Sequence, residues 1–222
     1  QSVTIYEISI DNVRDLAGNA MSTSVVLPFS FFQPDVAEFK DLIISELLPD
    51  PNPSVGLPEG EFVELFNRSE KTLDLNEYTL SNGSTVAELP TYILDPGEYI
   101  ILSSTANSGA YETFGDVLGL SPFPALSNNG DEIGLRDNVG TLLDSVEYLR
   151  SWYGDTDKDD GGFSLELINP DKLTCAPISN WLASNASLGG TPASQNSVFD
   201  QTPDNTAPSL VSVSLLDATS AR

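Results

Sequence analysis

Histidine is absent from this chain, cysteine occurs once, and only nine lysines and arginines stand against 33 aspartates and glutamates. The missing histidine removes the commonest general base and the commonest transition-metal ligand together. Serine–histidine and cysteine–histidine hydrolase chemistry is thereby excluded. A lone Cys175 cannot close an intrachain disulfide, and it reads as a small, partly buried hydrophobe ahead of a reactive thiol. With a formal net charge of -24, the long-range field repels phosphate backbones and anionic lipid surfaces, so nucleic acid is not an expected partner. Long apolar runs are missing as well. The stretch VVLPFSFF from Val25 to Phe32 is too short for a membrane helix and is broken by Pro28, so no membrane insertion is expected. The opening QSVTIYEISI has neither an initiating methionine nor a basic, signal-like start, and reads as a segment from within a longer chain.

What is present is punctuation. Asn-Gly at 82–83 and 129–130, Pro-Gly at 96–97 and Asp-Asn-Val-Gly at 137–140 separate short runs rich in β-branched and aromatic residues, which predicts an all-β fold. The 40% hydrophobic content is enough to bury a core. In EFVELF, Phe62, Glu64 and Phe66 share one face and Val63 and Leu65 the other, the pattern of a central strand. EYIILSS and FSLELIN read similarly. Residues Asp131 to Leu149 predict a hairpin turning at Asn138–Gly140, with Ile133 and Leu135 facing one way and Leu143 and Val146 near the partner strand. Helix is expected only around Ala106 to Phe114, for a turn or two.

Three motifs run in order from Gly161: GGFSLELINP, then Asn180-Trp181, then GGTPASQNSV ending at Val198. Earlier come DLIISELLPDP at Asp41 to Pro51, GEFVELFNRS at Gly60 to Ser69, and LDLNEYTLSNG at Leu73 to Gly83. Together they resemble the lamin tail domain, an immunoglobulin-like β-sandwich shared by nuclear lamins and many bacterial surface proteins. The resemblance implies an immunoglobulin-like β-sandwich of lamin tail type with extra flanking strands, over residues 41–200, in which Trp181 is core. Residues 1–34 contain Asp-Leu-Ala-Gly-Asn-Ala, which resembles the last hairpin of bacterial immunoglobulin-like repeats, and residues 204–222 resemble the first strand of another. The flanks are expected to pair with each other, with the central domain, or with a second chain.

Chemistry has few candidates. In DTDKDDGGFSLE, Asp155, Asp157 and Asp159 alternate as hard oxygen donors and Glu166 holds the twelfth position of a calcium loop. Asp160 stands where that loop needs glycine, so calcium on Asp155, Asp157, Asp159, Asp160 and Glu166 competes with a plain acidic surface loop. Trp152-Tyr153 is a candidate partner-binding or sugar-stacking pair; the competing reading has one ring in the core and one on the surface. Glu46, Glu61, Glu64 and Glu166 could supply a glycosidase-like carboxylate pair, although solvated strand faces account for them more simply.

The resulting expectation is a non-catalytic structural, adhesive or docking module of an exported multidomain bacterial surface protein, outside the cell or on its surface. Partners would be neighbouring immunoglobulin-like modules and a protein or cell-surface glycan, with calcium the one cofactor raised. Proline-rich segments at Asp50 to Pro58 and Pro203 to Pro208 would limit hinge freedom. The alternative, from the same resemblance, is an accessory domain that positions a separate secreted hydrolase of nuclease or phosphatase type.

Overall fold

The computed structural model describes residues 5–30, 33–172 and 177–202. In chain order the strands begin with β1 (Ile5–Ile10), β2 (Val25–Ser30), β3 (Leu42–Leu48), β4 (Phe62–Asn67), β5 (Leu73–Asp74), β6 (Thr79–Ser81), β7 (Val86–Glu88) and β8 (Ile93–Leu94). They continue with β9 (Tyr99–Ser104), the one-turn helix α1 (Ser108–Tyr111), β10 (Val117–Leu120), β11 (Gly130–Arg136), β12 (Leu142–Leu149), β13 (Leu165–Leu167) and β14 (Trp181–Ala183). A six-stranded sheet runs β10-β9-β4-β3-β13-β14 and faces a four-stranded sheet ordered β12-β11-β6-β7. The all-β expectation holds, and β4 is the interior strand its sequence indicates.

Strand alternation builds the core between the sheets. Leu42, Ile44, Leu47, Val63, Leu65, Ile100, Leu102 and Leu165 point inward from the larger sheet and meet Leu80, Ala87, Ile133, Leu135 and Val146 of the smaller one. In β3 the pairing register slips between Ile44 and Glu46, a bulge at Ser45. That extra residue lets Ile44 and Leu47 both face the core and turns Glu46 and Leu48 to the outer face. There Leu48, Phe62 and Ile101 gather under Leu57 and Tyr111. The larger sheet is therefore covered on both sides.

The hairpin of β11 and β12 forms as the sequence indicates, with Ile133 opposite Val146. Asp137 closes its turn by accepting the amides of Val139 and Thr141 at 3.0 and 2.7 Å. Lys40, ahead of β3, reaches across to Asp144 of β12, whose other oxygen accepts the Ile44 amide at 2.9 Å. This pair, with Asp144 buried and Lys40 partly exposed, ties the two sheets together. Asp50 to Pro58, expected as a proline-rich entry that limits hinge freedom between sandwiches, is packed into the sandwich itself: Gly162 donates to the Asp50 carbonyl at 2.8 Å, and Ser54 Oγ to the Leu57 carbonyl at 2.6 Å. The companion segment Pro203 to Pro208, the expected strand in 204–222, and Cys175 lie outside the described residues.

Among the described residues β1 and β2 pair only with each other; the other flank, 204–222, lies outside them. Their ribbon exposes Tyr6, Ile8, Val26, Leu27 and Phe29. Tyr6 and Phe29 stack at 5.5 Å.

Candidate functional site

Glu46, Glu64 and Glu166 stand in a row on the outer face of the larger sheet. Glu46 of β3 is the direct partner of Glu64 in β4 and of Glu166 in β13. Directly opposed residues place their Cβ atoms about 4.5–5.5 Å apart, and all three side chains are completely buried. The sequence reading of these acids as solvated faces is corrected here. Alternation alone could not reveal the burial, because the cover comes from a segment remote in the chain.

That cover is GGTPASQNSV, residues Gly189–Val198, which lies across the row as a strap. Glu46 Oε1 accepts Ser164 Oγ at 2.5 Å and the Thr191 amide at 2.9 Å. Glu64 accepts Ser45 Oγ at 2.7 Å on one oxygen and the Ala193 amide at 2.6 Å on the other. Glu166 accepts Thr191 Oγ1 at 3.0 Å, Ser197 Oγ at 2.8 Å and the Val198 amide at 3.1 Å. Asn196 fastens the strap further, donating to the Ser45 and Leu167 carbonyls at 2.9 and 2.8 Å. A Cβ on Gly190 would lie 2.6 Å from Glu46 Oε1, so only glycine lets the strap approach this closely.

No ion pair among the described residues involves these three glutamates. Burial, reinforced by the charge of Glu166, pushes the Glu46 carboxyl up to about 8. Burial first, then the neighbouring Glu46, raises Glu64 well above the usual range. Glu61 is not part of the row: it is half-buried, accepts the Leu126 amide at 2.9 Å, and is raised by burial. The arrangement fastens a strap over buried carboxyls; it offers no open carboxylate pair to a substrate.

The structure does not bring the five candidate calcium ligands together. Glu166 is committed to the buried row, Asp159 and Asp160 lie 3.2 and 3.5 Å from Arg150, and Asp155 caps its own turn through the Asp157 amide. Among the described residues no three of Asp, Glu, Cys or His are grouped so as to hold a metal ion. The paired glycines have a different use. A Cβ on Gly161 would meet the Asn52 carbonyl oxygen at 1.9 Å and one on Gly162 the Pro53 carbonyl oxygen at 2.3 Å. The loop is shaped by packing against residues 52–55.

Trp152 and Tyr153 are corrected from partner-binding candidates to core. Both are 5% exposed. Trp152 packs on Trp181 with centroids 6.2 Å apart, and Tyr153 donates to the Phe163 carbonyl at 3.1 Å. Even the competing reading, with one ring on the surface, left too much exposed, because a 3-10 turn at Arg150–Tyr153 rolls both rings inward. Trp181 is core, as expected.

An open groove of about 290 Å³ adjoins the strap, lined by Phe66, Arg68, Tyr99, Leu167, Asn196 and Phe199 among others. Two packed sheets with opposed apolar faces define an immunoglobulin-like β-sandwich. Residues 36–150 match the family model of the Lamin Tail Domain, and the chain belongs to that family. The sandwich continues past the matched stretch through β13, β14 and the strap. No curated protein and no solved structure matches the chain. Membership of a family of immunoglobulin-like scaffolds makes this a structural or interaction module.

Proposed function

We propose that the chain is a non-catalytic structural, adhesive or docking module of an exported, multidomain bacterial surface protein, with the lamin tail sandwich as a spacer between immunoglobulin-like units. The observation that carries this reading is the sealed glutamate row. The three acids best placed to pair as catalysts are wholly buried and spend their oxygens on the strap and adjoining strands. The β1–β2 ribbon supports the neighbouring unit, since its exposed apolar residues are what further strands of a preceding sandwich would cover. A net charge of -24 keeps such an array soluble and extended. Its partners would be adjoining modules and a protein or glycan at the cell surface.

The test compares this chain with a longer stretch of its parent protein by amide hydrogen exchange, alongside a broad hydrolase panel. The expected outcome is that residues 5–30 gain protection in the longer chain and that no substrate turns over. Turnover abolished by substituting a single carboxylate would overturn the proposal.

A further inference from the structure

Thr191 Oγ1 carries one hydrogen and is surrounded by three oxygens: Glu166 Oε1 at 3.0 Å, Glu46 Oε2 at 3.4 Å and Asn196 Oδ1 at 3.5 Å. Asn196 Nδ2 already donates to two carbonyls, which fixes Oδ1 as the acceptor end. One hydrogen cannot serve three acceptors. Glu166 has the closest claim, and its other oxygen is filled by Ser197 and Val198. Glu46 Oε1 is likewise filled, by Ser164 and the Thr191 amide, which leaves Glu46 Oε2 with the Thr191 hydroxyl alone. A hydrogen on Glu46 Oε2 resolves the conflict: the carboxylic acid donates to Thr191 Oγ1, and Thr191 donates onward to Glu166.

The surroundings favour the same proton. Adjacent carboxylates in a low-dielectric site cannot all be ionised. The titratable groups facing the row from each packed element are Glu64 on β4, Glu166 on β13, Tyr99 on β9, which feels the Glu64 charge, and Tyr111 on α1, which feels that of Glu46. Residues 181–183 of β14 and 189–198 of the strap have no titratable side chain. No lysine or arginine is ion-paired to the row among the described residues.

We propose that the strap Gly189–Val198 is a proton-held latch, in which Glu46 is protonated at neutral pH and donates through Thr191 to Glu166, and loss of that proton at alkaline pH loosens the strap from the sheet. Ionised Glu46 turns the Thr191 relay into a contest between two carboxylates for one hydrogen, and adds a further buried charge with no cation beside it. The strap also supplies Gln195 and Asn196 to the adjoining groove, so loosening it opens one side of that groove. The latch follows from the row itself and is independent of the module's proposed surface role.

The test uses the 222-residue chain and two isosteric variants. Glu46→Gln reproduces the protonated pattern, with Oε1 accepting from Ser164 and the Thr191 amide and Nε2 donating to Thr191 Oγ1. Glu166→Gln reverses the relay: Oε1 keeps Ser197 and the Val198 amide while Nε2 donates to Thr191 Oγ1, which then donates to Glu46, so that Glu46 no longer needs a proton. Infrared spectroscopy should show a protonated-carboxyl band at neutral pH that is lost on alkaline titration and reduced in Glu46→Gln. Amide exchange at Thr191 and Ala193, corrected for the intrinsic rise with pH, should show protection lost in the wild type at alkaline pH. Protection should be retained at alkaline pH in Glu46→Gln, and in Glu166→Gln, where Glu46 needs no proton, the alkaline loss should also disappear. Absence of the band from the wild type at neutral pH would overturn the proposal, as would alkaline loosening in Glu46→Gln equal to that of the wild type. Should Glu166→Gln fail to fold, the wild type and Glu46→Gln still decide the matter.

Discussion

Single residues set how closely the strap and the sheets can approach. At Gly190 an added Cβ would meet Glu46 Oε1 at 2.6 Å, Leu57 Cδ1 at 2.7 Å and Ser164 Oγ at 2.9 Å, all within packed structure. Gly190→Ala is expected to cost about 1–3 kcal/mol, the usual penalty for overpacking, as read by urea denaturation; a change within a few tenths would mean the strap sits more loosely. Trp181, 4% exposed and packed on Trp152, should lose about 3–5 kcal/mol as Trp181→Ala. Lys40 and Asp144 make a third case. Burial raises the Asp144 carboxyl while Lys40 opposes the rise, and Lys40→Met strips a nearly buried carboxylate of its cation. The expected loss approaches the about 3–5 kcal/mol seen when a buried pair is broken. By contrast, Arg150→Met removes only the more exposed pairs with Asp159 and Asp160, and its denaturation midpoint should barely move.

At the scale of elements, the acidic loop and the β1–β2 ribbon invite opposite expectations. Because Glu166 is sequestered and Asp159 is held by Arg150, a thermal melt across a calcium titration should be flat; a saturable shift lost in Asp157→Ala would contradict this geometry. The sandwich elements were legible in sequence where the pattern is local. Period-two alternation in EFVELF marked a central strand, and Asp137 to Gly140 marked a hairpin, because neighbours within a few residues decide those features. The burial of the glutamates and of Trp152-Tyr153 was not legible, since their covers come from residues 189–198 and from a turn that alternation does not describe. One signal was available. GGTPASQNSV combines paired glycines with small hydroxyl and amide side chains, the composition of a segment that packs closely while donating hydrogen bonds.

For the whole molecule, stability should depend on pH in a direction fixed by the raised carboxyls. Glu46 has its folded value up near 8 against 4.5 as an ordinary glutamate, and Glu64, Glu61 and Asp144 are raised as well. Over the interval between the two Glu46 values the folded chain binds more protons than the unfolded one, so stability falls as pH rises from about 4.5 to about 8. Self-repulsion from a net charge of -24 acts in the same direction, and added salt should weaken that second contribution while leaving the buried one in place. Melting temperatures across this range, at low and high salt, check the sign; a flat or rising profile would contradict it. The central claim is that the segment from Gly189 to Val198 closes the sandwich over buried glutamates. Amide hydrogen exchange at Thr191, Ala193 and Val198, whose N–H groups each donate to one of those carboxylates, tests it most directly. At neutral pH the expected result is protection comparable to the amides of β3 and β4. Exchange as fast as an exposed loop at all three positions would contradict it.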